Sequence, residues 1–429
     1  MTTIRLGDVC RKIGSGATPR GGQEVYLDAG EIALIRSQNV YNENFERTGL
    51  AYLTAEHAKQ LDGVTVQVDD VLLNITGDSV ARACQVPTDV LPARVNQHVA
   101  IIRPDPNLVD PRFLRFYLAS PQMQQHMLLL AGAGATRNAL TKGMIENFQI
   151  PNIPIKHQHA IGIVLGVFED KIDQNRKMNA TLEATARTLF REWFIEYGPV
   201  RSKVDGFSPL GVPSESVHLF PGKLDDNGIP VGWTRARLSA IAESRAKGVL
   251  PTDVSAETPY IGLEHMPRRC IALSNWEGAG KVTSNKSQFS KGDILFGKLR
   301  PYFHKVGIAP VNGICSTDII VMGPKSEVWN AFVLMCVSSD EFVLYTDQTS
   351  NGTKMPRTSW DVMGRYPLTL PEESMASCFN DIVQPMIETI TANVLESKAL
   401  TKTLELLLPR VVSGEAQIID IERLLEAAA

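Results

Sequence analysis

Two runs of side chains, half a sequence apart, constrain this chain more than any other feature. The first places Ile161, Leu165, Phe168, Ile172, Asn175, Asn179, Leu182, Ala186, Leu189 and Trp193 at alternating steps of four and three residues. That is the 3.5-residue spacing of a coiled-coil seam. The run returns 218 residues later as Phe379, Val383, Met386, Ile390, Asn393, Ser397, Leu400, Leu404, Leu407 and Val411. Even the polar interruption recurs, Asn175 and Asn179 against Asn393 and Ser397. Each run covers about 33 residues, so a helix carrying it is roughly 48 Å long at ~1.5 Å per residue. Pairing the two antiparallel buries both seams and sets Asn175 and Asn179 opposite Ser397 and Asn393. Polar residues at seam positions cost stability and fix register.

At 429 residues the chain has length for more than one core. Its 44% apolar and 21% charged residues are ordinary for a soluble protein. No stretch approaches the ~20 apolar residues of a membrane span, and the amino terminus lacks a signal pattern. The six cysteines are scattered with no Cys-x-x-Cys pair, which fits a reducing cytoplasm and no zinc site. A net charge of −4 does not advertise a nucleic-acid partner, yet residues 233–372 carry more Lys and Arg than Asp and Glu.

The elements repeat along with the helices. Residues 1–155 read as mixed helix and strand, with strands at Ile32–Ile35, Val71–Ile75 and Val99–Ile102 and a helix opened by Asp110-Pro111. Residues 156–197 form the first long helix. Residues 198–232 hold Gly198-Pro199, Pro209, Pro213, Pro221-Gly222 and Pro230, a spacing that breaks any helix and predicts a linker. Residues 233–372 then restart the first globule. Arg237-Leu238 stands for Arg5-Leu6, Gly292-Asp293-Ile294 for Asp69-Asp70-Val71, and Gly352-Thr353 for Gly134-Ala135. The second long helix covers 373–416 and a tail 417–429.

Enzymatic apparatus is missing from the sequence. There is no Gly-x-x-x-x-Gly-Lys-Ser/Thr phosphate loop, no Gly-x-Gly-x-x-Gly and no Asn-Pro-Pro-Tyr-like tetrapeptide. Glu169-Asp170-Lys171 has a nuclease-like spacing, but on a helix without a partner acid it reads as a solvated face. The eight histidines show no metal-ligand spacing.

Globule, helix, linker, globule, helix is the layout of the DNA-specificity subunit of type I restriction-modification systems. Local phrases carry the resemblance: Gly14-Ser15-Gly16-Ala17-Thr18-Pro19, Gly30 to Val40, Asn96-Gln97-His98-Val99-Ala100, Phe148-Gln149-Ile150-Pro151, Gln158-His159-Ala160-Ile161, Leu189 to Phe194 and Gly232-Trp233. The second globule departs from it, having Gly248-Val249-Leu250-Pro251 and Thr317-Asp318 at matching places.

The resemblance implies an α+β fold: two pseudo-symmetric target-recognition domains separated by two long helices packed as an antiparallel coiled coil. It also implies a non-catalytic, cytoplasmic protein that reads a bipartite double-stranded DNA site. Two methyltransferase subunits would dock on the helices, and restriction subunits would join the full complex. S-adenosylmethionine and ATP would sit on those partners, with no cofactor on this chain. The rival reading is a coiled-coil scaffold with two protein-binding domains.

Base edges are read by planar donors and acceptors on loops near positive charge. In the first domain these are Thr18, Arg20, Arg36, Ser37, Gln38, Asn39, Ser79 and Arg82, with Arg137 and Lys142 for phosphates. In the second they are Lys298, Arg300, Tyr302, His304 and Lys305, with Lys354 and Arg357 standing for the Arg137 loop.

Overall fold

The computed structural model describes residues 2–412 apart from 43, 133–137, 210, 351 and 353. Its contacts divide the chain into two compact units, residues 1–171 with 400 onward, and residues 172–399.

In the first unit, an antiparallel sheet orders Cys10–Ser15, Val99–Pro104, Val71–Asn74 and Ala83–Gln85. A second sheet orders Ala51–Leu53, Ile32–Ile35 and Ala93–Val95, the last two parallel. Strand alternation explains why both layers exist. Val71, Leu73, Ala100 and Ile102 join one core with Leu114, Leu118 and Phe148, while Leu72, Val99 and Ile101 join another with Ile35 and Val95. A strand apolar on every residue must be covered on both faces. One cover is the helix Pro111–Ala119. Asp110 caps it by accepting from the Phe113 N–H at 2.9 Å, and Pro111 occupies its first turn.

The second unit repeats this plan. Ala242–Ser244, Ile319–Pro324, Ile294–Gly297 and Val306–Ile308 form the four-stranded sheet in the same order. Pro259–Ile261 again runs parallel to a partner, Gly313–Cys315. Its sheet is enlarged to five strands by Lys247–Val249 and Lys286–Phe289. Even the turn into the central strand is copied. Asp69 (φ 68°) and Gly292 (φ 90°) take the left-handed conformation. The next residue in each case, Asp70 or Asp293, accepts a backbone N–H three residues upstream, at 2.7 and 2.8 Å. An arginine on each buried aspartate completes both turns, Arg103–Asp70 at 2.7 Å and Arg245–Asp293 at 3.1 Å.

The long helices are Ile155–Phe190 and Glu373–Val412. In the first unit Ile161, Leu165 and Phe168 pack with Leu404, Leu407 and Val411, so the strands of the seam run antiparallel. In the second unit the polar interruption pairs: Asn175 Nδ2 donates to Ser397 Oγ (3.3 Å) and Glu396 Oε2 (2.6 Å), and Asn393 Nδ2 donates to Asn179 Oδ1 (2.8 Å). Beyond it the seam drifts. The buried positions of the second helix before Ser397 include Phe379, Val383, Ile387, Ile390 and Val394, with Met386 only half-buried. Ile172, Leu182, Leu189, Leu400 and Leu404 are half-buried too. A straight helix turns every 3.6 residues, so a strict 3.5 stripe slides off the interface. Trp193 lies past the coiled coil, in a π-helical turn at Arg191–Ile195, and packs edge-on to Phe220 at 4.9 Å.

The proline-rich linker departs from its reading. It contains a helix, Gly198–Val204, because Pro199 sits in the first turn where a missing N–H costs nothing.

Among the described residues, no single helix is long and apolar enough to cross a membrane.

Candidate nucleic-acid interface

In the first unit, backbone hydrogen bonds gather five segments at one end of the sheets. Gly16 N–H reaches Val99 O (2.9 Å), Ala17 reaches Val95 O (3.2 Å), and Asn96 reaches Ile35 O (3.0 Å). Ile75 reaches His98 O (3.0 Å), and Leu140 reaches Ile75 O (2.8 Å). The Gly-rich phrase is needed for this approach: a Cβ on Gly16 would lie 2.1 Å from Val95 O.

A chain of side chains crosses the gathered loops. The exposed Thr18 hydroxyl donates to Gln97 Oε1. Gln97 Nε2 donates to His98 Nε2 at 3.0 Å, which leaves the proton on Nδ1 for Thr76 Oγ1 at 2.6 Å. Beside it Arg36 is half-buried, bonded to Gly49 O (2.5 Å) and 5.5 Å from the Tyr26 ring, with its Nε buried and unpartnered. Gln38 is exposed and reaches the same carbonyl at 3.1 Å. Arg20 is exposed, Ser37 and Ser79 are half-buried, and Arg82 stacks 4.5 Å from the Tyr41 ring. Lys142 is exposed on the helix Lys142–Glu146, 3.5 Å from Glu146. Arg137 lies outside the described residues.

Asn39 is not a reading residue. It is fully buried, its Oδ1 accepting the Arg36 N–H at 3.0 Å and its Nδ2 donating to Glu46 O at 2.9 Å. The same turn recurs in the second unit, where His265 Nδ1 accepts the Gly262 N–H at 2.9 Å.

The second unit gathers the corresponding loops. Ser316 N–H reaches Ile261 O (3.0 Å), Lys298 reaches Asp318 O (2.9 Å), Arg300 reaches Pro356 O (2.8 Å), and Thr358 reaches Lys298 O (3.0 Å). Arg357 sits 3.4 Å from Asp318. Lys298 and Arg300 are half-buried, while Tyr302, Lys354 and Arg357 are exposed. Lys305 donates to Leu263 O at 2.5 Å, and burial beside the Arg268 guanidinium holds its pKa below the usual lysine range. Arg300 lies 5.9 Å and Arg268 4.2 Å from the Phe303 ring.

His304 is turned inward. It is 3% exposed, and its Nε2 meets Ser338 O at 2.9 Å, so it shapes the loop from behind.

Thr76, Gln97, His98, Arg268 and Phe303 join the candidates only in the folded chain. The Asn96-Gln97-His98 phrase and the Arg268-Arg269 pair were the available signals.

Among the described residues, no group of His, Cys, Asp and Glu side chains is placed to hold a metal ion. Burial pushes the thiols of Cys84, Cys315 and Cys336 up to about 12, away from nucleophilic use. The solvated-face reading of Glu169-Asp170-Lys171 fits Asp170 and Lys171, which are exposed, Asp170 lying 3.5 Å from Arg112; Glu169 departs from it, half-buried and paired with Arg115 on the helix Pro111–Ala119. Burial outweighs the attraction of Arg115 and raises the Glu169 pKa.

Residues 1–184 match the family model of the type I restriction modification DNA specificity domain. The chain is 24% identical to the type I restriction enzyme HindI specificity subunit of Haemophilus influenzae, over 96% of this chain and 98% of that protein. It is likewise 24% identical to the MjaIX specificity subunit of Methanocaldococcus jannaschii, over 77% and 74% of the two chains. Its fold resembles the crystal structure of the type I restriction-modification S subunit from M. genitalium, with a TM-score of 0.54, 14% identity and coverage of 96% and 95%.

Proposed function

We propose that this chain, whose first 184 residues match the type I restriction modification DNA specificity domain, is a non-catalytic specificity subunit and that its two domains read the two halves of one split DNA site. The carrying observation is the repeated loop cluster. The same strand order in each unit delivers polar and cationic side chains to equivalent loops, with different residues on them: Thr18, Gln38 and Gln97 in one, Arg268, Arg300 and Tyr302 in the other. Equivalent frames with unlike side chains suit two half-sites of unlike sequence.

In this reading the paired helices set the distance between half-sites and dock two methyltransferase subunits. Restriction subunits complete the assembly, and S-adenosylmethionine and ATP are handled by these partners. Arg20, Arg36, Lys142, Lys298, Lys305, Lys354 and Arg357 supply phosphate or base contacts.

The test is duplex binding by the chain assembled with methyltransferase subunits, measured against salt. Binding to one split sequence should exceed non-specific binding by at least about 10³-fold. Affinity should also fall linearly in log salt. Binding without sequence preference, or none, would leave the domains as protein-binding modules.

A further inference from the structure

The second domain's recognition loop, Lys298–Lys305, and the neighbouring turn at Arg269 are held in an unfavourable shape. Arg269, Arg300 and His304 all carry positive φ (55°, 51° and 52°) although none is glycine. Such residues persist only where surrounding contacts over-determine them.

Those contacts lead to the first long helix. Glu183, buried on that helix, accepts the Ile271 N–H with both oxygens (3.1 and 3.0 Å) and holds Arg187 one turn later at 2.7 Å. Arg187 donates through Nη1 to Ser338 O, and His304 Nε2 meets that same carbonyl at 2.9 Å. The His304 carbonyl in turn receives the Arg269 N–H at 2.8 Å, and Arg269 pairs with Asp340 at 2.7 Å. The first domain uses similar parts: Glu169 on the long helix holds Arg115, which donates to Asn42 O just beyond the Ser37–Asn39 turn.

We propose that Glu183 and Arg187 are positioning residues that lock the Lys298–Lys305 loop into its reading conformation through the shared Ser338 carbonyl and His304. The proposal rests on the DNA-reading function above. It assigns the spacer helix a part in specificity as well as in spacing.

The test compares Arg187→Met, His304→Leu and His304→Gln in the full chain assembled with methyltransferase subunits. Gln places an amide N–H where His304 Nε2 donates, so it keeps the bond that Leu removes. One readout is selection from duplexes randomised at both half-sites; the other is amide hydrogen exchange at Arg300, Phe303 and His304. Arg187→Met and His304→Leu should each relax discrimination at one half-site by about tenfold or more, ~1.4 kcal/mol. The other half-site should be unchanged, the loop amides should exchange faster, and His304→Gln should restore both readouts. Unchanged discrimination, equal loss at both half-sites, or His304→Gln as impaired as His304→Leu would overturn the proposal. If His304→Leu fails to fold, Arg187→Met decides alone. If the unaltered assembly selects no split site, the DNA-reading function falls, and the exchange data still decide whether the helix holds the loop.

Discussion

Arg300 combines a left-handed backbone, a buried unpartnered Nε and a position against Phe303, which makes it, on the proposed function, a residue where reading by the second domain is exposed to mutation. Arg300→Ala should weaken or alter recognition of one half-site by about 1–3 kcal/mol while sparing the other; equal loss at both would contradict independent domains. His304 shows how far residue type alone can mislead. In the sequence it completes a cluster of five planar or cationic side chains, yet the fold buries it, because nothing local distinguishes a reading histidine from a packing one. Its burial, with Arg187 and Arg269 nearby, outweighs the Ser338 carbonyl and Asp340 and keeps its pKa below 6.5. The unfolded chain therefore takes up a proton near pH 6.5 that the folded chain refuses, and stability should drop as pH falls below that value. His304→Gln should flatten that part of the profile in thermal melts at pH 5 to 7. Asn39 misleads in the same way, its amide spent on the turn that Arg36 and Gln38 stand on.

At the level of elements, the sequence was most legible where one physical rule dominates. The Ile32–Ile35 strand, the Asp69-Asp70 turn with its copy at Gly292-Asp293, and the Asp110-Pro111 helix start each follow from local pattern. The linker helix Gly198–Val204 is hidden in the sequence because proline breaks a helix in its interior but is tolerated in the first turn, where Pro199 stands. The seam was legible in phase and less so in detail, since Ile387 and Val394 take core places that a strict 3.5 period gives to Met386 and Asn393. The Asn179–Asn393 pair is where register is most locally specified. Asn393→Ala leaves the buried Asn179 without its 2.8 Å donor. It should cost about 1–3 kcal/mol in urea titration. Replacing both by leucine should recover that stability or exceed it; a double variant as weak as the single one would show that the pair carries more than register.

At the scale of the whole molecule, duplication is the fact from which the rest follows: two frames of one strand order, each with its own loops, and two helices sharing one seam. On the proposed function, half-site identity is illegible because it would reside in the loops, where residues such as Gln97 and Asp318 differ between otherwise matching frames. Spacing is a mechanical property and is open to test. Removing four residues from each helix shortens the pair by ~6 Å. That is slightly under two base pairs at ~3.4 Å each, so the spacer should shorten with both half-sites kept; an unaltered spacer would mean that the helices do not set it. The central claim is that one chain joins two half-sites into one recognition event. It is tested most directly by mapping methylated bases across the genome of the source cell with and without this chain. The account predicts that a single split motif with a fixed, unspecified spacer loses methylation when the chain is removed. A methylome unchanged by its removal, in cells where it is made and bound to its methyltransferase, would contradict it.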